Sequence, residues 1–160
     1  MGESPYIAVI GPGDATPSEE HAAEAVGDLL ARAGAVLVCG GLGGVMAAAC
    51  RGSAGTGGLT VGLLPGADRS AANPWVRVSI PTGVGELRNG LIVRAADAVV
   101  AIGGAYGTLS EIALALKIGV PVVGIDTWAI DGIEAKESPQ AAAALALDLA
   151  RARSTRRADS

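Results

Sequence analysis

Short apolar runs alternate along the chain with longer stretches of helical periodicity, and glycine or proline separates nearly every pair. Tyr6–Ile10 is apolar and ends in Gly11-Pro12-Gly13. Thr16, Pro17 and Glu19 then supply an N-cap, a first-turn proline and a capping box, which predicts a helix to about Ala33, stopped by Gly34. Ala35–Cys39 is a second apolar run, followed by Gly40-Gly41-Leu42-Gly43-Gly44 and a helix from about Val45 to Ser53. Leu59–Leu64 predicts a third strand, residues 66–74 a loop, and the alternation over Trp75–Ile80 a fourth strand. Pro81-Thr82-Gly83 breaks the chain before a helix from about Val84 to Ala96. Asp97–Ile102 is a further strand ending in Gly103-Gly104, Thr108 to Ile118 a helix, and Pro121–Ile125 the last strand. Ser138-Pro139 opens a final helix. Strands apolar on both faces, alternating with helices, imply a parallel sheet covered on both sides. The pattern therefore predicts one doubly wound α/β domain over residues 1–150 and an unstructured basic tail over 151–160.

Composition sharpens that picture. Hydrophobic residues make up 50% of the 160, and phenylalanine is absent, so Val, Ile, Leu and Ala must build the core. Glycine numbers 24, or 15%, about twice the usual ~7%. Nine of these glycines fall just after the first, second and Asp97–Ile102 strands, where ligands bind in doubly wound folds. Residues 1–150 hold 8 basic and 15 acidic side chains. An acidic body with few aromatic residues disfavours nucleic acid and anionic membranes as partners. No apolar run is long enough to span a bilayer, and the first residues carry no secretory leader pattern, so a cytoplasmic location is expected. Cys39 and Cys50 read as buried thiols of a reducing compartment.

Several ligand classes fail on their residues. Gly11-Pro12-Gly13-Asp14 lacks the third glycine of a dinucleotide fingerprint, and no acid ends the second strand. The only lysines, Lys117 and Lys136, follow no phosphate-loop pattern and suit no Schiff base. His21 stands alone, so neither a metal site nor a resident cofactor is expected. What remains is Gly103-Gly104-Ala105-Tyr106-Gly107-Thr108 running into a helix. Free N–H groups at such a start can bind an anion, with the Thr108 hydroxyl adding a donor. Thr108-Leu109-Ser110-Glu111 fits a capping box equally well.

Two motifs carry a family resemblance. Gly40-Gly41-Leu42-Gly43-Gly44-Val45-Met46 fits GGxxGxM, and Gly103 to Glu111 is close to the PGGxGTxxE signature. Together they resemble the Lonely Guy (LOG) family, often labelled "lysine decarboxylase", over about residues 5–126. The resemblance implies a Rossmann-like homodimer or homotetramer. It also implies hydrolysis of the N-glycosidic bond of a purine or cytokinin-type nucleoside 5′-monophosphate. The family's catalytic Arg and Glu map to Arg88 and Glu111. An oxocarbenium-like state could be stabilised by the Glu111 carboxylate, and Arg88 could keep that carboxylate ionised. Gly104, Gly107 and Thr108 would take the phosphate, with Gly11, Gly103 and Tyr106 as further ligand-binding residues. Gly41, Gly44 and Met46 would border the base, and Asn89 offers an amide to a polar heterocycle.

The departures point toward a binder. Gly103 replaces the signature's proline, Ala105 its second glycine, and Asn89 the usual lysine after the arginine. This pattern is similar to small bacterial relatives and to the molybdenum-cofactor carrier proteins, which bind a phosphorylated pterin without turnover. Three expectations follow: first a phosphoribohydrolase, second a non-catalytic carrier of a phosphorylated ligand, third an assembly module whose glycines serve packing alone. The residues leave open whether the protein is an enzyme.

Overall fold

The computed structural model describes residues 2–160. Seven strands form one parallel sheet: β1 (Tyr6–Ile10), β2 (Val36–Cys39), β3 (Leu59–Leu64), β4 (Val78–Pro81), β5 (Ala98–Ile102), β6 (Val122–Ile125) and β7 (Ile133–Ala135). Their spatial order is β4-β3-β2-β1-β5-β6-β7. The chain winds outward from β1 to β4, returns to the other side of β1, and winds outward again. This is a Rossmann-like doubly wound sheet, and its order reverses between β1 and β5.

Five helices cover it: α1 (Pro17–Arg32), α2 (Val45–Gly55), α3 (Arg88–Ala95), α4 (Tyr106–Lys117) and α5 (Pro139–Ala158). Successive side chains of β1 serve opposite faces, because strand side chains alternate. Ile7 and Val9 pack in a core with α1, α2 and α5, whereas Ala8 and Ile10 pack in a second core with α3 and α4. The predicted capping box is formed: Thr16 Oγ1 accepts from Glu19 N at 3.2 Å, and Glu19 accepts from Thr16 N at 3.0 Å. Ser138 caps α5 in the same manner, accepting from Ala141 N at 3.1 Å.

The structure corrects five boundaries. The fourth strand begins at Val78, not Trp75, because Thr60 ties down the preceding segment: its hydroxyl donates to Trp75 O at 2.6 Å and its carbonyl accepts from Arg77 N. The helix expected from Val84 is a 3-10 turn over Gly85–Leu87 followed by α3, since Gly85 at φ +63° cannot join an α-helix. α4 starts at Tyr106, two residues before Thr108, so Thr108 is not an N-cap and no capping box forms there. β7 is a strand the periodicity missed, three residues long at the sheet edge. α5 runs through the supposed tail to Ala158. Ala and Arg are strong helix formers, and Arg157 reaches Asp97 at 3.5 Å. Among the described residues no helix is long and apolar enough to cross a membrane.

Where α1 meets α2, backbone touches backbone. A Cβ on Gly27 would lie 2.0 Å from Ala49 O, and one on Gly52 2.0 Å from Glu24 O. Alanine is the better helix former by ~1 kcal/mol, yet Gly52→Ala should destabilise the protein by ~2 kcal/mol or more through overpacking. Chemical denaturation checks the sign, and a more stable variant would contradict the packing.

Candidate functional site

The first turns after β1, β2 and β5 converge at the reversal of strand order. Between them lies a cleft of about 300 Å³. Val9, Ile10 and Gly11 form its floor, and Gly40, Leu42 and Met46 one wall. Glu86, Arg88, Asn89 and Ile92 form a second, and Ala105, Gly107, Thr108 and Glu111 close it from the start of α4. The lining thus combines aliphatic side chains with the donors of Arg88, Asn89 and Thr108.

Arg88 and Glu111 come together here, 9% and 8% exposed, from facing helices. They form no ion pair; those among the described residues join Arg32 to Asp28, Arg51 to Glu24 and Arg157 to Asp97. Arg88 Nη1 donates to Asn89 Oδ1, while its Nε has no partner. Its guanidinium lies against Gly40, where a Cβ would come within 2.9 Å of Nη2. Burial pushes the Glu111 carboxyl from 4.5 up to about 8, and Arg88 only partly opposes this. The expectation that Arg88 keeps Glu111 ionised is thus reversed: removing the carboxylate from water outweighs a cation that does not touch it.

The start of α4 is the anion end. Tyr106, Gly107 and Thr108 hold its first three helical positions, whose N–H groups have no intrahelical acceptor. Ala105, the N-cap residue, supplies no side-chain cap. The Thr108 side chain is 2% exposed, lines the cleft, and its Oγ1 has no partner. A buried hydroxyl without a partner is costly, and an anionic oxygen at this position would satisfy it. Asn89 Nδ2 donates to Ser110 Oγ at 3.1 Å, and Ser110 donates to Gly107 O at 2.7 Å. Asn89 thereby links Arg88 to the α4 turn as well as facing the cleft.

The remaining predicted residues fall outside the lining. Gly41 packs behind it, donating its N–H to Cys39 Sγ at 3.3 Å. Gly44, at φ +61°, begins α2, where a Cβ would strike Pro12 O at 2.2 Å. Gly103 borders the Glu19 carboxylate and Gly104 the Trp128 indole. Tyr106 is 84% exposed, turned outward, and stacks on Trp128 with ring centroids 6.2 Å apart. Sequence reasoning missed Glu86, Ile92 and Leu42, which only the packing of α3 on α4 and the fold of the 40–44 turn bring to the cleft, and Ser110, which supports Asn89 from outside it. Cys39 and Cys50 are free, buried and 3.5 Å apart behind this turn; the hydrogen bond with Cys50, and then burial, push the Cys39 thiol up.

Residues 4–153 match the family described as the SLOG cluster4 family. An uncharacterized protein of Archaeoglobus fulgidus is 42% identical over 137 residues, covering 85% of this chain and 90% of that one. Among solved structures, the molybdenum cofactor binding protein of the phototrophic bacterium Rippkaea orientalis is 35% identical with a TM-score of 0.85, over 89% of this chain and 95% of that one. The molybdenum cofactor carrier protein of Chlamydomonas reinhardtii is 31% identical with a TM-score of 0.83, over 92% and 98%.

A carboxyl that is neutral when folded but ionised when unfolded makes stability depend on pH. Its contribution is fully present below about 4.5 and is lost as pH rises through about 8. One proton limits the slope to ~1.4 kcal/mol per pH unit. Glu111→Gln should flatten the loss across this window and stabilise the protein at alkaline pH. Denaturant unfolding at several pH values tests this, and parallel profiles for the two proteins would refute it.

Proposed function

The chain belongs to the SLOG cluster4 family, and from that premise we propose that it binds a small phosphorylated heterocycle of the molybdenum-cofactor type and holds it without turnover. The observation that carries the reading is the buried, unpartnered Thr108 hydroxyl beside an uncapped helix start in the cleft. Those donors suit a phosphate. Arg88 adds a permanent positive charge with an unused Nε–H. Val9, Met46, Leu42 and Ile92 add apolar surface that suits the faces of a flat ring system. A cavity of about 300 Å³ matches a mononucleotide-sized ligand better than a dinucleotide. The likeness to the Rippkaea and Chlamydomonas proteins, whose names state molybdenum-cofactor binding and carriage, supports the same ligand class.

The second reading is the phosphoribohydrolase of the LOG resemblance, favoured by Arg88 and Glu111 sharing one cleft. It needs an ionised carboxylate to face an oxocarbenium-like centre. With Glu111 raised to about 8, little carboxylate is available near neutral pH, which favours holding over hydrolysis. Protein purified from a host that makes molybdenum cofactor should carry a phosphorylated pterin, read as pterin fluorescence after oxidation and release. AMP should yield no adenine at pH 7 or 9. Adenine release that rises with pH and vanishes in Glu111→Gln would establish the hydrolase instead.

The homodimer or homotetramer of the resemblance would use the face beside the cleft. Leu87, 80% exposed, shares a shallow depression with Tyr106, Leu114, Glu86 and Arg94. Glu86 precedes α3 and Arg94 lies in its last turn, so two copies packed about a two-fold axis would pair opposite charges around an apolar centre. Leu87→Glu should turn an oligomer into a monomer by light scattering. A wild-type protein already monomeric at micromolar concentration would refute this interface.

A further inference from the structure

We propose that Trp128, on the connection between β6 and β7, is a positioning residue for the anion end of the cleft. The inference rests on the ligand reading above and adds to it the device that holds the site open. A helix start is ordinarily fixed by a Ser, Thr, Asp or Asn side chain that accepts from its free N–H groups. Such a cap fixes the turn but occupies the donors a ligand needs. At α4 the N-cap is Ala105, which has nothing to accept with.

The turn is held instead through its carbonyl. Trp128 Nε1 donates to Ala105 O at 3.2 Å. The same oxygen accepts the first intrahelical bond, from Leu109 N at 2.9 Å. The indole also meets the residues on either side. A Cβ on Gly104 would come within 3.3 Å of Nε1, and the Tyr106 ring stacks on Trp128 at an interplanar angle of 27°. Three consecutive residues, Gly104 to Tyr106, are thus braced by one side chain from outside the cleft. Trp128 does not line the cavity; its one hydrogen bond to this turn is the one to Ala105 O. The N–H groups of Tyr106, Gly107 and Thr108 remain unfilled, and the buried Thr108 hydroxyl stands beside them without a partner.

The test compares AMP with adenosine by titration calorimetry on the full chain, as wild type, Trp128→Phe and Trp128→His. Phenylalanine keeps an aromatic ring and loses the N–H; histidine keeps a ring N–H. Wild type should prefer AMP. Trp128→Phe should weaken AMP about tenfold, near the value of one hydrogen bond, while leaving adenosine unchanged. Trp128→His should recover part of the preference, and it carries the test if the phenylalanine variant does not fold: a preference lost entirely in a folded Trp128→His overturns the role assigned to the N–H. In the unliganded protein, amide exchange at residues 105–108 should quicken in Trp128→Phe. Equal weakening of AMP and adenosine would mark Trp128 as merely structural. A full AMP preference in Trp128→Phe would overturn the inference and leave the ligand reading intact. A wild type that does not distinguish AMP from adenosine would overturn the anion end assigned to the start of α4, and this inference with it, whereas the pterin reading is decided by the cofactor recovered from the purified protein.

Discussion

Everything distinctive about this molecule depends on how closely backbones approach one another where the sheet changes direction. β1 is the central strand, and the chain leaves it first toward β2 and later returns beside it as β5. The connections after β1 and β5 must diverge to opposite faces, so a crevice opens at their ends. In this protein the crevice is narrow because its turns touch. A side chain at Gly11 would meet Ile102 O at 2.4 Å, and one at Gly44 would meet Pro12 O at 2.2 Å. Part of the glycine excess is the consequence of that contact. At Gly107 a Cβ would meet nothing within 4 Å, and there the missing side chain leaves space for a ligand.

The same closeness sets the electrostatics. Arg88 and Glu111 are pressed into the crevice by α3 and α4, with little water to solvate either. A guanidinium remains charged under such conditions and a carboxyl need not. The outcome is an asymmetric pair, a fixed cation beside a neutral acid, rather than a salt bridge. The Thr108 hydroxyl and the free end of α4 extend the donor surface. A phosphorylated ligand would find positive potential and hydrogen bonds without a competing anion from Glu111.

Thr16 and Ala105 show two solutions to one problem, the exposed N–H groups at a helix start. Thr16 and Glu19 satisfy them locally, and α1 begins as a purely structural helix. Ala105 cannot, and the turn is braced from a loop more than twenty residues later in the chain. Local capping is encoded by neighbouring residues, whereas bracing by Trp128 depends on the fold that brings β6 alongside β5.

The alternation of apolar runs, helices and glycine turns was enough to read the sheet class, six of the seven strands and the strand ends at which the cleft opens. These are consequences of period, chirality and backbone sterics over a few residues. Arg88, Glu111, Met46 and Thr108 were legible as candidates through the motifs that carry the family resemblance, and all four line the cleft. The rest was settled only in three dimensions. Tyr106 turns outward, since a helix beginning at 106 rather than 108 rotates it away from the cleft. β7 is too short for periodicity to register, and α5 continues past residue 150 because nothing in its packing stops it. The ionisation of Glu111 could not be read from its neighbours in sequence, since it follows from how much water the two facing helices exclude. The chain by itself determined the strands and the glycine turns that border the crevice; tertiary packing decided which side chains reach it and with what charge and exposure, because burial and desolvation are properties of elements brought together from distant parts of the sequence.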